Sequence, residues 1–316
     1  MPPDHAPGTT TDRPRVTIVM ATFNGAAHLR EQLDSFCAQR GVDWDLWVSD
    51  DGSTDDTRAL LSAFQQVQGG GRTVRLVDGP GQGSAANFMT LLAHPDLPTD
   101  RPVALSDQDD VWHPDKLARA VAALETSGPM TLYSGQSLHT DAMLRVIGHS
   151  RPPQRAPGFC NALVQNVVSG HSIVMDPAAL ALVRKAGVPD GIPYHDWWLY
   201  QLISGAGGHI RVDRARMVHY RQHSTNTMGA HHGLSASVRR LGQVFGKTYG
   251  GWIRANTAAL SRVAPLLTPQ HQSCLRAFCA APRGPRRALA LRQLGLYRQS
   301  RATTAVLVLA TALGRI

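Results

Sequence analysis

The chain has 316 residues, 43% of them hydrophobic and 17% charged, with a mean hydropathy of −0.18; these values exclude a disordered chain, a collagen and a polytopic membrane protein, and leave room for one large or two modest domains. The net charge of +9 is a sum of two unlike parts: Asp213 is the last acidic residue and half of the 32 Lys and Arg follow it, so the first 213 residues carry −7 and the last 103 carry +16.

Residues 1 to 13, rich in Pro, Thr and Asp, read as a disordered lead-in, with no basic stretch followed by an apolar one that would mark a secretory signal. The run RVTIVMAT at 15–22 predicts a strand buried on both faces of a parallel sheet. Asn24-Gly25 then signals a turn, and Leu29, Leu33 and Phe36 fall at helical spacing over 27–39. The unit repeats three times. Strand 44–49 leads through a polar turn at 50–56 to helix 57–64, and strand 73–77 leads through a glycine-rich turn at 79–83 to helix 85–92. Strand 102–105 leads through an acidic turn at 107–110 to helix 114–124, with Pro114 suited to a first helical position. Four alternations predict an α/β domain with a mostly parallel sheet and an active site at the carboxyl ends of its strands. Further strands are expected at 130–134 and 172–175, with a helix from Asp176-Pro177 through Val183.

Beyond Asp213 the pattern predicts long helical stretches broken by Gly and Pro. The segment 285–301 sets Arg286, Arg287, Arg292, Arg298 and Arg301 among leucines, as in a basic amphipathic helix that lies on a membrane surface. The apolar run at 302–314 is too short to span a bilayer, which takes about 20 residues. Cys37, Cys160, Cys274 and Cys279 form no C-x-x-C pair and read as reduced thiols of a cytosolic protein.

Two acidic turns carry the chemistry. In Ser106-Asp107-Gln108-Asp109-Asp110-Val111-Trp112, three carboxylates within four residues repel one another unless a cation or hydrogen-bond donors compensate them. A hard divalent ion uses few carboxylates and completes its shell with water and phosphate oxygens, so the turn fits a metal-bridged diphosphate; the alternative is a solvated loop that caps the next helix. Asp50-Asp51-Gly52-Ser53-Thr54-Asp55-Asp56 falls on the same sheet edge, where carboxylates can accept hydrogen bonds from a base or ribose. Ser53 or Thr54 would be the N-cap there, with Asp55 and Asp56 favourable in the first turn.

Taken in order, Ala21-Thr22-Phe23-Asn24-Gly25, DDGSTDDT and SDQDDVWHPDKL resemble glycosyltransferase family 2 with its GT-A nucleotide-diphospho-sugar fold. HDWWLY at 195–200 and YRQHSTNTMG at 220–229 resemble its bacterial rhamnosyltransferase-like branch. The resemblance implies a GT-A domain over 14–230, followed by a basic helical region over 231–316. Thr22 and Asn24 would line the nucleotide pocket, Asp50 would accept from the base beside Asp51, and Asn87 would lie near the sugar nucleotide. Asp107 would face the ribose or metal and Asp109 would bind Mn2+ or Mg2+, with Asp110 a further candidate. Asp196 takes the place of the base in an inverting mechanism. Trp197 and Trp198 would wall it and offer a platform for a sugar face, although Asp196 could instead cap its helix and one indole be core. Many relatives carry Glu before this Asp, where the chain has His195. Arg221 and His223 are candidates for the diphosphate or metal, and His171 for the acceptor side.

The implied reaction moves a sugar from dTDP-rhamnose, or alternatively a UDP-hexose, to a glycan or lipid-linked acceptor at the cytoplasmic face of an anionic membrane. A nucleic-acid-binding protein is the rival suggested by the +16 tail, but the −7 portion would repel a polyanion. A non-catalytic scaffold of the same fold is disfavoured by the intact Asp107, Asp109 and Asp196.

Overall fold

Runs of β-branched and aromatic residues form the centre of the chain, seen in a computed structural model that describes residues 13–68, 71–222 and 247–316. Strands β1 (Arg15–Thr22), β2 (Asp43–Asp50), β3 (Val74–Asp78) and β4 (Val103–Ser106) are mutually parallel in the order β3-β2-β1-β4. Helices α1 (Ala26–Cys37), α2 (Thr57–Gln68) and α3 (Ser84–Leu92) make the crossovers. Both faces are covered, because the two-residue period of a strand sends alternate side chains to opposite cores: Val16, Ile18 and Met20 of β1 enter one apolar cluster and Val19 the other. The register from Arg15↔Asp43 to Thr22↔Asp50 makes β1 and β2 end level, so their turns share one edge with the end of β4.

The chain then leaves β4 through the acidic turn to β5 (Val111–Trp112) and α4 (Lys116–Glu125). β6 (Thr131–Thr140), a short β7 (Val146–His149) paired to it, the single turn α5 (Phe159–Ala162), β8 (Ile173–Met175), α6 (Pro177–Ala186), α7 (His195–Gly205) and β9 (His209–Arg221) follow. β8 runs antiparallel to β4 and β6, β9 runs parallel to β6, and β5 closes the far edge against β9. The sheet is therefore mixed: β3-β2-β1-β4 form one parallel block, β8 runs against it, and β6 and β9 form a second parallel pair beyond β8.

Several expectations need correction. Residues 214–221, expected to begin the helical stretches beyond Asp213, belong to the 13-residue strand β9 (His209–Arg221). Asp213 lies inside that strand, where Arg119 binds it at 2.5 and 3.1 Å and the Tyr133 hydroxyl donates to it at 3.1 Å. Helix α2 starts at Thr57, past Ser53 and Thr54, and Asp55 just before it accepts from Thr57 N at 3.0 Å and from Ala26 N at the start of α1. Helix α4 starts at Lys116, two residues after Pro114. Asp176 caps α6 as expected, accepting from Ala179 N at 2.7 Å.

C-terminal to the sheet lie α8 (Lys247–Arg262), α9 (Pro269–Ala280), α10 (Pro285–Gln293) and α11 (Arg301–Ala312). The segment 285–301 is thus not one helix: α10 stops at Gln293, Gly295 takes φ +68, and the apolar run after it forms α11. Leu291, Leu296, Leu307 and Ile316 are buried in the same apolar cluster as Trp197 and Trp198. The Tyr249 hydroxyl donates to Val164 O, and Asn161 Nδ2 donates to Tyr297 O at 2.9 Å, so the helices are bonded to the α/β part. No helix among the described residues is long and apolar enough to cross a membrane.

Candidate active site

The turns after β1, β2 and β4 are knit together by side chains. Asp50, almost fully buried, accepts from Thr22 Oγ1 (2.9 Å), Ser53 N (3.0 Å), Ser53 Oγ (2.6 Å) and Arg58 Nη1 (3.2 Å). Burial pushes its pKa up, but the bonds from Ser53, Thr22 and Arg58 outweigh it and hold the carboxyl below its ordinary value. An ionised carboxylate has about four lone-pair sites, so Asp50 and Thr22 bond within the turn here, and a base reaching Asp50 would take the place of one of these bonds. Asp51 is likewise engaged, taking Gly81 N and Gly83 N at 2.7 Å each, which ties the glycine-rich turn to β2. Asn87 on α3 donates to Ser49 O at 2.9 Å and keeps its own buried Oδ1 without a partner. Asn24 faces solvent at φ 48, a left-handed conformation that Asn tolerates, and its Oδ1 accepts from Thr54 N at 2.8 Å.

Gln108, between the two acids of D-Q-D, was not singled out from sequence. Its carboxamide accepts from Phe23 N at 2.8 Å and donates to Phe23 O at 3.0 Å, clamping the end of β1 to the acidic turn. The contact needs Gly25, because a Cβ there would run into the Gln108 carboxamide. A polar residue flanked by two acids at a strand end was the available signal.

Asp110 is fully buried. Its Oδ1 accepts from Arg221 N at 3.1 Å, while its Oδ2 has no partner. Burial and the charges of Asp109 and Asp107 push its pKa up. Asp107 is raised by enclosure, then by Asp109 and Asp196. Beneath them Lys116, also missed from sequence, is buried with Nζ 3.3 Å from the centroid of the Trp112 ring; burial pushes its pKa down, against the pull of Asp110 and Asp107.

His171 belongs to a 3-10 turn (Gly170–Ser172) just before β8. The antiparallel pairing Ala104↔Val174 carries that turn back alongside residues 106 and 107, and His171 Nδ1 comes within 4.0 Å of Asp107 Oδ2. One ligand atom each from Asp107, Asp110 and His171 lies within 4.8 Å of the others. A divalent cation fits this set, since it would relieve the repulsion between the acids and occupy the unpartnered Asp110 oxygen. Asp109 is not in the set; its carbonyl accepts from Arg221 Nε at 2.9 Å and its charge acts on both neighbouring acids.

Asp196 stands in the first turn of α7. Its Oδ1 accepts from Trp197 N at 2.6 Å and its Oδ2 from Gly170 N at 3.2 Å, so the residue before His171 also holds Asp196. Burial raises its pKa to about 6, against the lowering effect of bonds from Trp197, Asn166 and Gly170. Burial also brings His171 and His195 down to about 3, leaving neutral imidazoles. His195 packs against Phe88, with ring centroids 4.1 Å apart and planes tilted by 31°, behind Gly170.

Two expectations are corrected here, and a third falls outside the described residues. Trp197 and Trp198 are both buried, and Trp197 Nε1 donates to Ala162 O at 2.6 Å, so the indoles are core and present no face to a sugar. Arg221, 1% exposed, binds Asp109 O, Ala142 O and Glu31, and so holds the acidic turn from within rather than facing a diphosphate. His223 lies outside the described residues.

A twisted α/β sheet whose carboxyl edge carries an acidic D-x-D-D turn, a second acidic turn and a carboxylate on a facing helix defines a glycosyltransferase of the GT-A class. Residues 17–182 match the family Glycosyl transferase family 2, and the chain belongs to that family. It is 28% identical to the dTDP-rhamnosyl transferase RfbG of Shigella flexneri over 73% of this chain and 80% of the relative. It is also 25% identical, over 52% of its length and 61% of the other's, to the UDP-Glc:alpha-D-GlcNAc-diphosphoundecaprenol beta-1,3-glucosyltransferase WfgD of Escherichia coli. Among solved structures, S. aureus TarS 1–349 in complex with UDP-GlcNAc shares the fold with a TM-score of 0.56 at 14% identity, covering 89% of this chain and 90% of that one. The mannosyltransferase PcManGT of Pyrobaculum calidifontis, in complex with GDP-Man and Mn2+, does so with a TM-score of 0.52 at 23% identity, covering 100% and 90%.

Proposed function

We propose that the chain transfers a sugar from a nucleotide diphosphate to a glycan hydroxyl with inversion, in the synthesis of a surface polysaccharide. The observation that carries the mechanism is the segment Gly170-His171, which joins Asp196 to the Asp107 and Asp110 cluster, so that one carboxylate stands apart from the diphosphate site yet shares its field. Asp196 Oδ1 is committed to Trp197 N–H; Oδ2, on its longer bond to Gly170 N–H, is the oxygen that takes the acceptor proton. A pKa near 6 suits that task, since the group is ionised at neutral pH yet more basic than a free carboxylate. Asp107 and Asp110 would hold a Mn2+ or Mg2+ ion, which supplies positive charge against the departing diphosphate. Gln108 and Arg221 keep the acidic turn in place for that role.

The likeness to RfbG over most of both chains favours dTDP-rhamnose as donor, and the likeness to WfgD makes a UDP-hexose the second reading. Melting-point shifts with dTDP-rhamnose, UDP-glucose and UDP-GlcNAc, each with and without Mn2+, test the choice, because ligand bound to the folded state stabilises it by mass action. A shift with none of them, with or without metal, would sink the donor reading. The acceptor is proposed to be lipid-linked. Leu289 on α10, Leu309 on α11 and Leu313 just beyond it are exposed, as are Arg283, Arg286, Arg292, Arg301 and Arg315, a composition that suits an anionic membrane surface.

A further inference from the structure

We infer, taking the metal site proposed above as given, that His171 is a ligand of the cation together with Asp107 and Asp110, and that its nitrogen biases the site toward a first-row transition ion such as Mn2+ over Mg2+.

The fold delivers this histidine rather than leaving it to chance. β8 is antiparallel to β4, so the residues that precede β8 run beside those that follow β4. The imidazole plane is fixed by stacking on Tyr220, with ring centroids 4.6 Å apart and planes 15° from parallel. Its Nδ1 lies 4.0 Å from Asp107 Oδ2, too long for a hydrogen bond. It nevertheless falls inside the roughly 4.2 Å that separates two atoms bound on opposite sides of one ion at about 2.1 Å each. The ring is 8% exposed and its Nε2 has no partner. Asp110, fully buried, also keeps one oxygen unpartnered, and the three ligand atoms all lie within 4.8 Å of one another. The ring can offer the ion only one nitrogen, Nδ1 beside Asp107 or the unpartnered Nε2, and together with the unpartnered oxygen of Asp110, 61 residues away in sequence, it marks a place for something held between them.

The donor set has chemical consequences. Mg2+ prefers an all-oxygen octahedron and dehydrates reluctantly, whereas imidazole is a good ligand for first-row transition ions. Two carboxylates and one imidazole leave positions for water and diphosphate oxygens, which suits an ion that must accept a nucleotide.

The full-length, nucleotide-free protein is titrated with MnCl2 and followed by electron paramagnetic resonance, and the bound ion is examined for nitrogen coupling by electron spin-echo modulation. Wild-type protein should bind Mn2+ with histidine nitrogen coupling, and Mg2+ should compete poorly. His171→Gln should bind Mn2+ at least about tenfold more weakly, lose the nitrogen coupling, and show a narrowed preference over Mg2+. Should His171→Gln not fold, as judged by its melting curve, histidine-specific 15N labelling in the His195→Gln and His223→Gln variants decides instead, with the coupling expected to persist in both. Mn2+ bound without nitrogen coupling, or coupling lost in His223→Gln or His195→Gln but kept in His171→Gln, overturns the role of His171 and leaves the metal site standing. Failure of the wild type to take up Mn2+ overturns both.

Discussion

In the α/β half, Asp50, Asp51 and Asp110 are buried and accept hydrogen bonds from named partners in neighbouring turns. In α10 and α11, by contrast, Arg286, Arg292 and Arg301 stand at the surface beside exposed leucines. A charge taken out of water must be matched group by group, which fixes its geometry. A charge left in water is screened within about 10 Å at 0.1 M salt and acts chiefly through its number. Under the proposed function, the acid-rich part would meet a small, highly charged ligand at a defined point, and the acid-free part an extended surface of opposite sign.

The strongest way to test the first half of that contrast is Asp196→Asn. We expect transfer to fall by roughly 10²- to 10⁴-fold, the usual contribution of a general base, while the donor-induced melting shift is kept; near-normal turnover would remove Asp196 as the base. In the wild type the rate should decline as pH drops through about 6, where the carboxyl takes up its proton. The stability sign runs the other way. A carboxyl pKa raised by folding stabilises the protein below the unfolded value near 4, and that contribution is lost as pH rises to about 6. Above pH 6, Asp196→Asn should therefore melt no lower than wild type, and a clear drop would mean that the carboxylate serves chiefly as a helix cap.

Most of the parallel half could be read from sequence, since strands buried on both faces are continuous apolar runs and each ended at an acidic or glycine turn within a residue or two of the expected place. Strand β9 escaped because most of it is only half-buried and its arginines, Arg211, Arg214 and Arg216, mimic the basic helices downstream. Its pairing with β6 also shifts register around Gln136, which breaks the two-residue period. The charge boundary at Asp213 consequently fell in the middle of a strand. The acidic turn and Asp196 were legible as candidates because their motifs are local, although the sequence put Asp109 ahead of Asp110 for the metal. The partners of Asp107 and the burial of Trp197 and Trp198 were not, since they depend on which strand lies beside β4 and on the C-terminal helices packing over α7.

Asp213 itself sharpens the comparison, as a single acid that joins α4, β6 and the start of the basic region. Burial raises its pKa, but the bonds from Arg119, Ala215 N and Tyr133 bring it down to about 2. Such a depressed carboxyl contributes stability that is fully present above pH 4 and lost as pH falls through about 2. Asp213→Asn should cost about 2 kcal/mol at pH 7, measured by urea denaturation, with the difference from wild type closing near pH 2; a difference independent of pH would assign the loss to packing alone.

Gln108→Ala should act on the site instead of the fold. Removing the two exposed bonds to Phe23 frees the acidic turn from β1; kcat/KM should fall roughly 10-fold, about 1.4 kcal/mol of transition-state stabilisation, while bonds exchanged for bonds to water leave the midpoint of unfolding little changed. Equal kcat/KM would show that Arg221 alone holds the turn.

The smallest effect expected belongs to the second half of the contrast. Leu291, Leu307 and Ile316 lie in the common core, so cutting away 285–316 would damage the fold and could not isolate a membrane role. The double substitution Leu309→Asp and Leu313→Asp touches only exposed side chains. Partial insertion of two half-exposed leucines is worth about 1 to 2 kcal/mol together. Binding to vesicles containing 30% phosphatidylglycerol should therefore weaken by about tenfold, with the melting point and turnover on a water-soluble acceptor unchanged. If only added salt, and not this substitution, releases the protein, the attraction is one of charge alone, and the exposed leucines face something other than lipid.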